Sequence, residues 1–260
     1  MNNSTKTVAG QGKRSSAPSV ILENVSFSYP GEQIFRDLNF TVKCGQWTCL
    51  IGPSGCGKST LLRLISGTLR ENFSGKIHFS DGNSQNGRTA WMAQKDLLLP
   101  WLSVLDNVCL GSRLRGEMSH EKRQKAISLL EDAGLGEYGD SLPSELSGGM
   151  RQRVALLRTL MEERPVILMD EPFSALDALT RLKLQDLSAS LVEGATVLMV
   201  THDPLEALRL GHRIYVMTHR PATLSKVLIP PGSPPREPGD PAIVSLQARL
   251  LHRLVGGGNP

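Results

Sequence analysis

A glycine-rich segment, Gly52–Thr60, has residue types and a spacing suited to holding phosphate groups. It matches the pattern G-x-x-x-x-G-K-[ST] and lies between a strand-like run and a helical pattern. Glycines let the backbone N–H groups face phosphate oxygens closely, and a helix N-terminus adds partial positive charge. Lys58 would reach the β- and γ-phosphates, and Ser59 would bind Mg²⁺. The expected ligands are ATP and Mg²⁺, and the expected contacts are Gly52, Pro53, Ser54, Gly55, Cys56, Gly57, Lys58, Ser59 and Thr60.

Two acidic residues, Asp170 and Glu171, follow the apolar run Val166–Met169. A buried strand of this kind would deliver Asp170 to the Mg²⁺ shell and place Glu171 where it orients or deprotonates an attacking water. Two acids that merely end a strand are the alternative, and the presence of the phosphate-binding pattern in the same chain weighs against it.

Strand-like and helix-like patterns alternate around these residues. The predicted strands are Val20–Tyr29, Ile34–Val42, Trp47–Ile51, Lys76–Phe79, Thr89–Met92, Val166–Met169, Thr196–Val200 and Arg213–Met217. The predicted helices are Lys58–Ile65, Glu121–Ala133 with Ser119 as its cap, Met150–Leu160, Leu176–Leu191 and Pro204–Leu210. This order indicates an α/β protein with a parallel sheet, interrupted by a mostly helical insertion.

A further segment, Leu146–Gln152, resembles the signature sequence of ATP-binding-cassette ATPases. Gln94 is similar to the glutamine of that family's Q-loop, Ser174–Asp177 to its D-loop, His202 to its switch histidine and Tyr29 to the aromatic residue that stacks on adenine. The resemblance covers about residues 20–218, with the motifs in the family's order. It implies a P-loop NTPase (RecA-like) core, an N-terminal antiparallel β subdomain and a helical signature subdomain.

The resemblance also assigns roles and domain bounds. It implies that Glu171 and His202 are catalytic, and that Ser59, Gln94 and Asp170 hold the metal ion. The remaining nucleotide contacts would be Tyr29, Ser147, Gly148, Gly149 and Asp177. We expect a disordered tail at 1–19, an ATPase domain at 20–229 and a Pro-rich strap with a C-terminal helix at 230–260. Within the ATPase domain, 20–95 and 161–229 would form the catalytic core and 96–160 the helical lobe.

One chain cannot bring its phosphate loop and its signature segment to the same nucleotide if, as the resemblance implies, they lie on opposite lobes. Two chains arranged head to tail would solve this, because each would supply the phosphate loop to one ATP and the signature helix to the other. We therefore expect a homodimer that ATP binding closes.

The chain has no apolar run near the roughly 18 residues of a membrane-spanning helix, so transport would require two separate integral-membrane permease subunits. Leu-Leu-Pro-Trp101 after Gln94 and Thr-His-Asp-Pro-Leu-Glu-Ala at the switch are similar to ATPases of bacterial nitrate, sulfonate and taurine importers. Gly45–Trp47 and Leu110–Glu117 resemble relatives that serve uptake of hydroxymethylpyrimidine. We expect Trp101 to face the permease groove, a periplasmic or lipid-anchored solute-binding protein as a further partner, and a peripheral location on the cytoplasmic face of the inner membrane.

Charge and length weigh against other classes of protein. The net charge of +4 resides in the tails, because residues 1–22 and 209–260 carry ten basic and two acidic residues. The body, 23–208, is therefore slightly acidic, so nucleic acid is not an expected partner. A soluble, non-transport cassette ATPase and a regulatory module without turnover remain alternatives. The first would need a second cassette or a long insertion, and the second would be expected to lack Glu171 or His202.

Overall fold

The computed structural model describes residues 17–218 and 220–255. The strands are β1 (Val20–Tyr29), β2 (Glu32–Val42), β3 (Trp47–Ile51), β4 (Phe73–Phe79), β5 (Thr89–Met92), β6 (Val166–Asp170), β7 (Thr196–Thr201), β8 (Arg213–Thr218) and β9 (Thr223–Leu224). The helices are α1 (Lys58–Ser66), α2 (Val104–Val108), α3 (Leu110–Leu114), α4 (His120–Asp132), α5 (Gly148–Leu160), α6 (Ala178–Leu191), α7 (Pro204–Leu210) and α8 (Pro241–Val255).

The strands form two sheets. An antiparallel sheet has the order β2-β1-β4, and a six-stranded sheet has the order β5-β6-β7-β3-β8-β9. Strands β3 and β5–β8 are parallel, so their carboxyl ends lie at one edge, and only β9 pairs antiparallel to its neighbour. The chain segments that follow β3, β5, β6 and β7 carry four of the predicted site residues: Lys58, Gln94, Glu171 and His202. Parallel pairing therefore collects these residues at a single edge.

The central sheet is covered on both faces, which explains its apolar strands. Leu50 faces a core shared with the antiparallel sheet and α1, whereas its neighbours Cys49 and Ile51 face a core shared with helices α2 and α4 to α8. This alternation follows the period of two along a strand. The result is a P-loop NTPase-type α/β core with an antiparallel β layer on one side, and the predicted fold class is confirmed.

Most predicted elements appear in the structure, with shifts that have local causes. Strand β4 begins at Phe73, three residues before its predicted start, because Gly75 adopts φ +91° where β1 makes a register shift. Helix α6 begins at Ala178 since Asp177 is its N-cap. Helix α4 begins one residue early, and the Ser119 hydroxyl accepts a hydrogen bond from Lys122 N as predicted. The short helices α2 and α3 were not predicted.

The ends of the described chain pack onto the sheet and helices. The predicted disordered tail, 1–19, is wrong for residues 17–19: Ala17 is buried, and Pro18 O accepts a hydrogen bond from the Thr196 hydroxyl. Residues 1–16 of that tail lie outside the described residues. The predicted C-terminal helix is α8, and its residues Ile243 and Leu250 are buried against the main core. The helix therefore packs on its own chain.

Among residues 17–218 and 220–255, no helix combines the length and the apolar character needed to span a membrane.

Candidate active site

The segment between β3 and α1 forms a phosphate loop, Gly52–Gly57, whose shape depends on its glycines. Gly55 and Gly57 have φ values of +82° and +109°, which favour glycine. A Cβ on Gly52 would overlap the carbonyl oxygen of Met217, so only glycine lets the loop pass this close to β8. The loop leads directly into the N-terminus of α1, where backbone N–H groups have no helical partner. The loop therefore has the backbone shape that an anion site requires, at the predicted position.

Lys58 lies inside this loop. Its side chain is buried, and its Nζ donates hydrogen bonds to Gly52 O at 2.7 Å and Pro53 O at 2.8 Å. Cys56 is also buried, with its Sγ 3.9 Å from the same Nζ. Within the described residues this ammonium donates to carbonyl oxygens and has no carboxylate partner, and phosphate oxygens would be better partners for its charge.

Asp170 ends β6 beside the start of α1. It is buried, and this burial raises the pKa of its carboxyl group, with the neighbouring Glu171 acting in the same direction. A hydrogen bond from Ser59 and the charge of Lys58 lower the pKa in part. A cation at this position would compensate for the burial of the carboxylate.

Glu171 lies between two other predicted site residues. Its Oε1 is 3.2 Å from Nδ1 of His202, and its Oε2 accepts a hydrogen bond from Nε2 of Gln94 at 3.3 Å. These three residues follow β6, β7 and β5, which are adjacent strands. The imidazole of His202 is 63% exposed, so packing alone does not fix it.

The backbone of Glu171 is held in an unusual conformation. Its φ is +51°, in the left-handed region that non-glycine residues rarely adopt. Glu171 N donates to Val200 O at 2.8 Å, and Glu171 O accepts from Nε2 of Gln152 at 2.8 Å. The buried amide of Gln152 also accepts from Ala175 N at 2.8 Å. These bonds hold the strained backbone of Glu171, and hence the start of its side chain, in place. The sequence gives no indication of this role for Gln152.

A cleft of about 330 Å³ opens above the phosphate loop. The predicted residues that line it are Tyr29, Ser54, Gly55, Gly57, Lys58, Ser59, Thr60, Gln94, Asp170 and Glu171. Three lining residues were not predicted: Glu32, Ile34 and Arg220. Arg220 pairs with Glu32, and its Nε donates to Gly55 O at 2.7 Å. Its place just beyond the carboxyl end of β8 was the signal that could have identified it.

The remaining predicted contacts lie elsewhere in the chain. Ser147 is the N-cap of α5, its hydroxyl accepting from Met150 N at 3.3 Å, and neither it nor Gly148 or Gly149 lines the cleft. Asp177 is the N-cap of α6, where the hydrogen bond from Thr180 N lowers the pKa of its carboxyl group. One chain therefore leaves the signature residues and Asp177 apart from the phosphate loop.

The residues proposed for Mg²⁺ fit that ion in donor type. Ser59, Gln94 and Asp170 supply oxygen atoms around the cleft, and oxygen ligands are what Mg²⁺ prefers. Within the described parts of the chain, no group of three or more His, Cys, Asp or Glu residues could hold a metal by itself. The ion would therefore depend on phosphate oxygens and water for its other ligands.

Comparisons with known proteins agree with this architecture. The sequence pattern of the family described as "ABC transporter" matches residues 35–174. A Haemophilus influenzae protein described as an uncharacterized ABC transporter ATP-binding protein is 47% identical over 91% of this chain and 99% of its own length. The aliphatic sulfonates import ATP-binding protein SsuB 1 of Rhodococcus jostii is 41% identical over 92% of this chain and 94% of its length. The protein of that name from Pseudomonas savastanoi pv. phaseolicola is 40% identical over 87% and 92%.

A solved structure shares the fold. The ATP-binding cassette MJ0796, in a dimeric post-hydrolysis state bound to ADP and Pi, superimposes with a TM-score of 0.69 at 30% identity. The match covers 82% of this chain and 99% of that one.

Proposed function

We propose, since this chain belongs to the ABC transporter family and is an ATPase of that family, that it powers import of a small organic solute across the bacterial inner membrane. The observation that carries the proposal is the placement of Glu171 between Gln94 and His202 at the edge of the phosphate-loop cleft. A binding module without turnover would not need a carboxylate held in this way.

The residues in and beside this cleft would have different roles in ATP hydrolysis. Tyr29 would stack on the adenine, and the phosphate loop with Lys58 would hold the β- and γ-phosphates. Bound Mg²⁺ would neutralise phosphate charge that develops during transfer. Glu171 would accept a proton from, or orient, the attacking water, and His202 would contact the γ-phosphate and link it to Glu171. Gln94 holds the second oxygen of the Glu171 carboxylate.

The separation of the two nucleotide-binding elements supports a dimeric working unit. Ser147–Gly149 form the N-terminal turn of α5, a 13-residue helix, and lie outside the phosphate-loop cleft of their own chain. A second copy placed head to tail would bring this turn onto the ATP held by the first. The MJ0796 cassette, which shares this fold, is a dimer bound to ADP and Pi.

We further propose that the segment Leu97–Trp101 is a docking surface for a permease subunit. Trp101 is 71% exposed and Leu97 is 59% exposed, whereas the nearby Leu98 and Leu105 are buried. Asn107 fixes the segment that carries Trp101, since its side chain bonds to the backbone of Leu99, Leu102 and Ser103. Two exposed apolar side chains on a rigid segment are suited to receiving an apolar helix.

The cargo is inferred from the sequence similarity of this chain to ATPases of known importers. Curated relatives at about 40% identity are named for aliphatic sulfonate import, which supports a sulfonate. Hydroxymethylpyrimidine, indicated by the sequence resemblance, is the competing cargo. In either case a periplasmic or lipid-anchored solute-binding protein would deliver the cargo. This chain would bind two permease subunits at the cytoplasmic face of the inner membrane. Uptake of labelled sulfonate and of labelled hydroxymethylpyrimidine by cells with and without this chain separates the two.

Co-purification from detergent-solubilised membranes tests the transport role. Wild-type protein should retain two integral-membrane subunits, and Trp101→Ala should lose them while its thermal unfolding midpoint is preserved. Ile229→Ala is the matched control, because Ile229 is 61% exposed and lies far along the chain from the Leu97–Trp101 segment. Wild-type protein that retains no membrane subunit would favour the non-transport alternative. Equal retention by Trp101→Ala would remove this surface from the proposal.

A further inference from the structure

Arg181, on the first turns of α6, contacts two separate parts of the active-site edge. Its Nη2 donates to Leu176 O at 2.9 Å, within the D-loop segment Ser174–Asp177. Its Nη1 donates to Asp203 Oδ2 at 3.3 Å, within the switch loop Thr201–Asp203. One planar guanidinium thus joins the segment after β6 to the segment after β7.

A buried carboxylate completes this arrangement. Glu206 is buried on α7, and its Oε2 accepts a hydrogen bond from the Thr201 hydroxyl at 2.6 Å. The same hydroxyl accepts from Asp203 N at 3.0 Å. Arg181 Nε is 3.7 Å from Glu206 Oε1 and, although buried, has no hydrogen-bond partner within the described residues.

These contacts fix the backbone on both sides of His202. Thr201 precedes it and Asp203 follows it, and both are tied to Glu206 or Arg181. The imidazole itself is largely exposed and lies 3.2 Å from Glu171. Its position relative to the Glu171 carboxylate therefore depends on where its two neighbours in the chain are held.

We propose that Arg181 is a positioning residue for ATP hydrolysis, which couples the D-loop segment to His202. The inference rests on the proposed function, in which His202 and Glu171 act on ATP. When the D-loop segment moves, the guanidinium of Arg181 moves with it and shifts Asp203. This in turn changes the position of the neighbouring His202 imidazole. If Arg181 Nε moved about 0.8 Å closer to Glu206 Oε1, the two atoms would form a hydrogen bond. A small movement of the guanidinium could therefore be stabilised by this new contact.

Steady-state kinetics of the purified full chain test the inference. Arg181→Met should lower kcat by about tenfold and change KM for ATP by less than about twofold, since the three residues its guanidinium contacts do not line the phosphate-loop cleft. Arg181→Lys keeps the charge and loses the planar fork, so its kcat should lie between those of the wild type and Arg181→Met. That graded rescue would not follow from loss of packing alone.

Arg209→Met is the matched control. Arg209 also joins α6 to α7, through Gln185 at 3.2 Å and Asp186 at 2.7 Å, but it contacts neither the D-loop segment nor the switch loop. It should lower the thermal unfolding midpoint and keep kcat within about twofold of the wild type. Equal losses of kcat in the two variants, or wild-type kcat in Arg181→Met, would overturn the inference.

A parallel His202→Ala variant distinguishes failure of the role proposed for Arg181 from failure of the catalytic role proposed for His202. If His202→Ala lacks turnover and Arg181→Met turns over normally, only the role of Arg181 is wrong. If both hydrolyse ATP at the wild-type rate, the proposed catalytic role of His202 fails.

Discussion

Nδ1 of His202 lies 3.2 Å from Oε1 of Glu171, although 31 positions separate the two residues in the sequence. The contact follows from the parallel pairing of β6 with β7, in which Asp170 is opposite Val200. Each residue comes just after its strand, so both side chains reach the same edge. The roles proposed for the two residues, in which His202 contacts the γ-phosphate and Glu171 orients or deprotonates the attacking water, require this proximity.

The first prediction concerns His202. His202→Ala should lower kcat by about 100-fold while the Kd for ATP stays within about threefold, because the imidazole contacts Glu171 and does not itself line the cleft. Phosphate release and equilibrium binding measure the two quantities. His252→Ala, on the exposed face of α8, is the control. Wild-type kcat in His202→Ala would exclude a catalytic role for this histidine.

The second prediction concerns the approach of the phosphate loop to β8. Gly52→Ala would place a Cβ against the carbonyl oxygen of Met217, so the loop must move. We expect a loss of about 1–3 kcal/mol in the free energy of unfolding, measured by urea denaturation, together with weaker ATP binding. Gly239→Ala should have little effect, since a Cβ there meets nothing within 4 Å. Unchanged ATP affinity in Gly52→Ala would show that the loop tolerates the methyl group.

The third prediction concerns pH. Burial raises the pKa of Glu206 from 4.5 to about 7, with the Asp203 charge adding to the rise and the Thr201, Arg181 and His202 contacts opposing it. In the folded state Glu206 therefore keeps its proton above pH 4.5, whereas the unfolded chain releases it. The contribution of this group to stability falls as pH rises from about 4.5 to about 7.

Glu206→Gln should remove this pH dependence. The difference in unfolding free energy, wild type minus variant, should decrease by up to about 3 kcal/mol as pH rises from 4.5 to 7.5. Urea denaturation across this pH range measures it. A difference that stays constant with pH would mean that Glu206 titrates normally.

Much of the fold was predictable because its patterns are local. Strands β1, β3 and β5 and helix α7 have the predicted bounds, since each is a short apolar or amphipathic run between turn residues. Helices α2 and α3 have five residues each, which is too short for a helical period to be recognised. Apart from residues 17–19, the predicted domain bounds remain a prediction.

The candidate site was predictable to the extent that its residues lie within motifs. Lys58, Asp170 and Glu171 were identified from spacing, and the structure brings them to one cleft. Residues that act through contacts distant in sequence were missed. Gln152 binds the carbonyl oxygen of Glu171, and Arg220 reaches the phosphate loop from beyond β8. Such pairings depend on strand order, which a single sequence does not reveal.

The fourth prediction concerns Arg236, in the Pro-rich strap. Its buried guanidinium donates to the carbonyl oxygens of five residues: Leu208, Gly211, Pro230, Pro231 and Gly232. Arg236→Met would leave these carbonyls without that donor, so we expect a loss of about 2–4 kcal/mol in unfolding free energy. Arg249→Met, at an exposed position of α8, is the control. Equal stability of the two variants would show that the strap is held by other contacts.

The central claim is that Glu171 drives ATP hydrolysis at this cleft, and Glu171→Gln tests it most directly. The variant keeps the side-chain length and loses the charge, so it should still bind ATP and should accumulate ATP-dependent dimers on gel filtration. Its phosphate release should fall by at least about 100-fold. Phosphate release by Glu171→Gln at the wild-type rate would contradict the account.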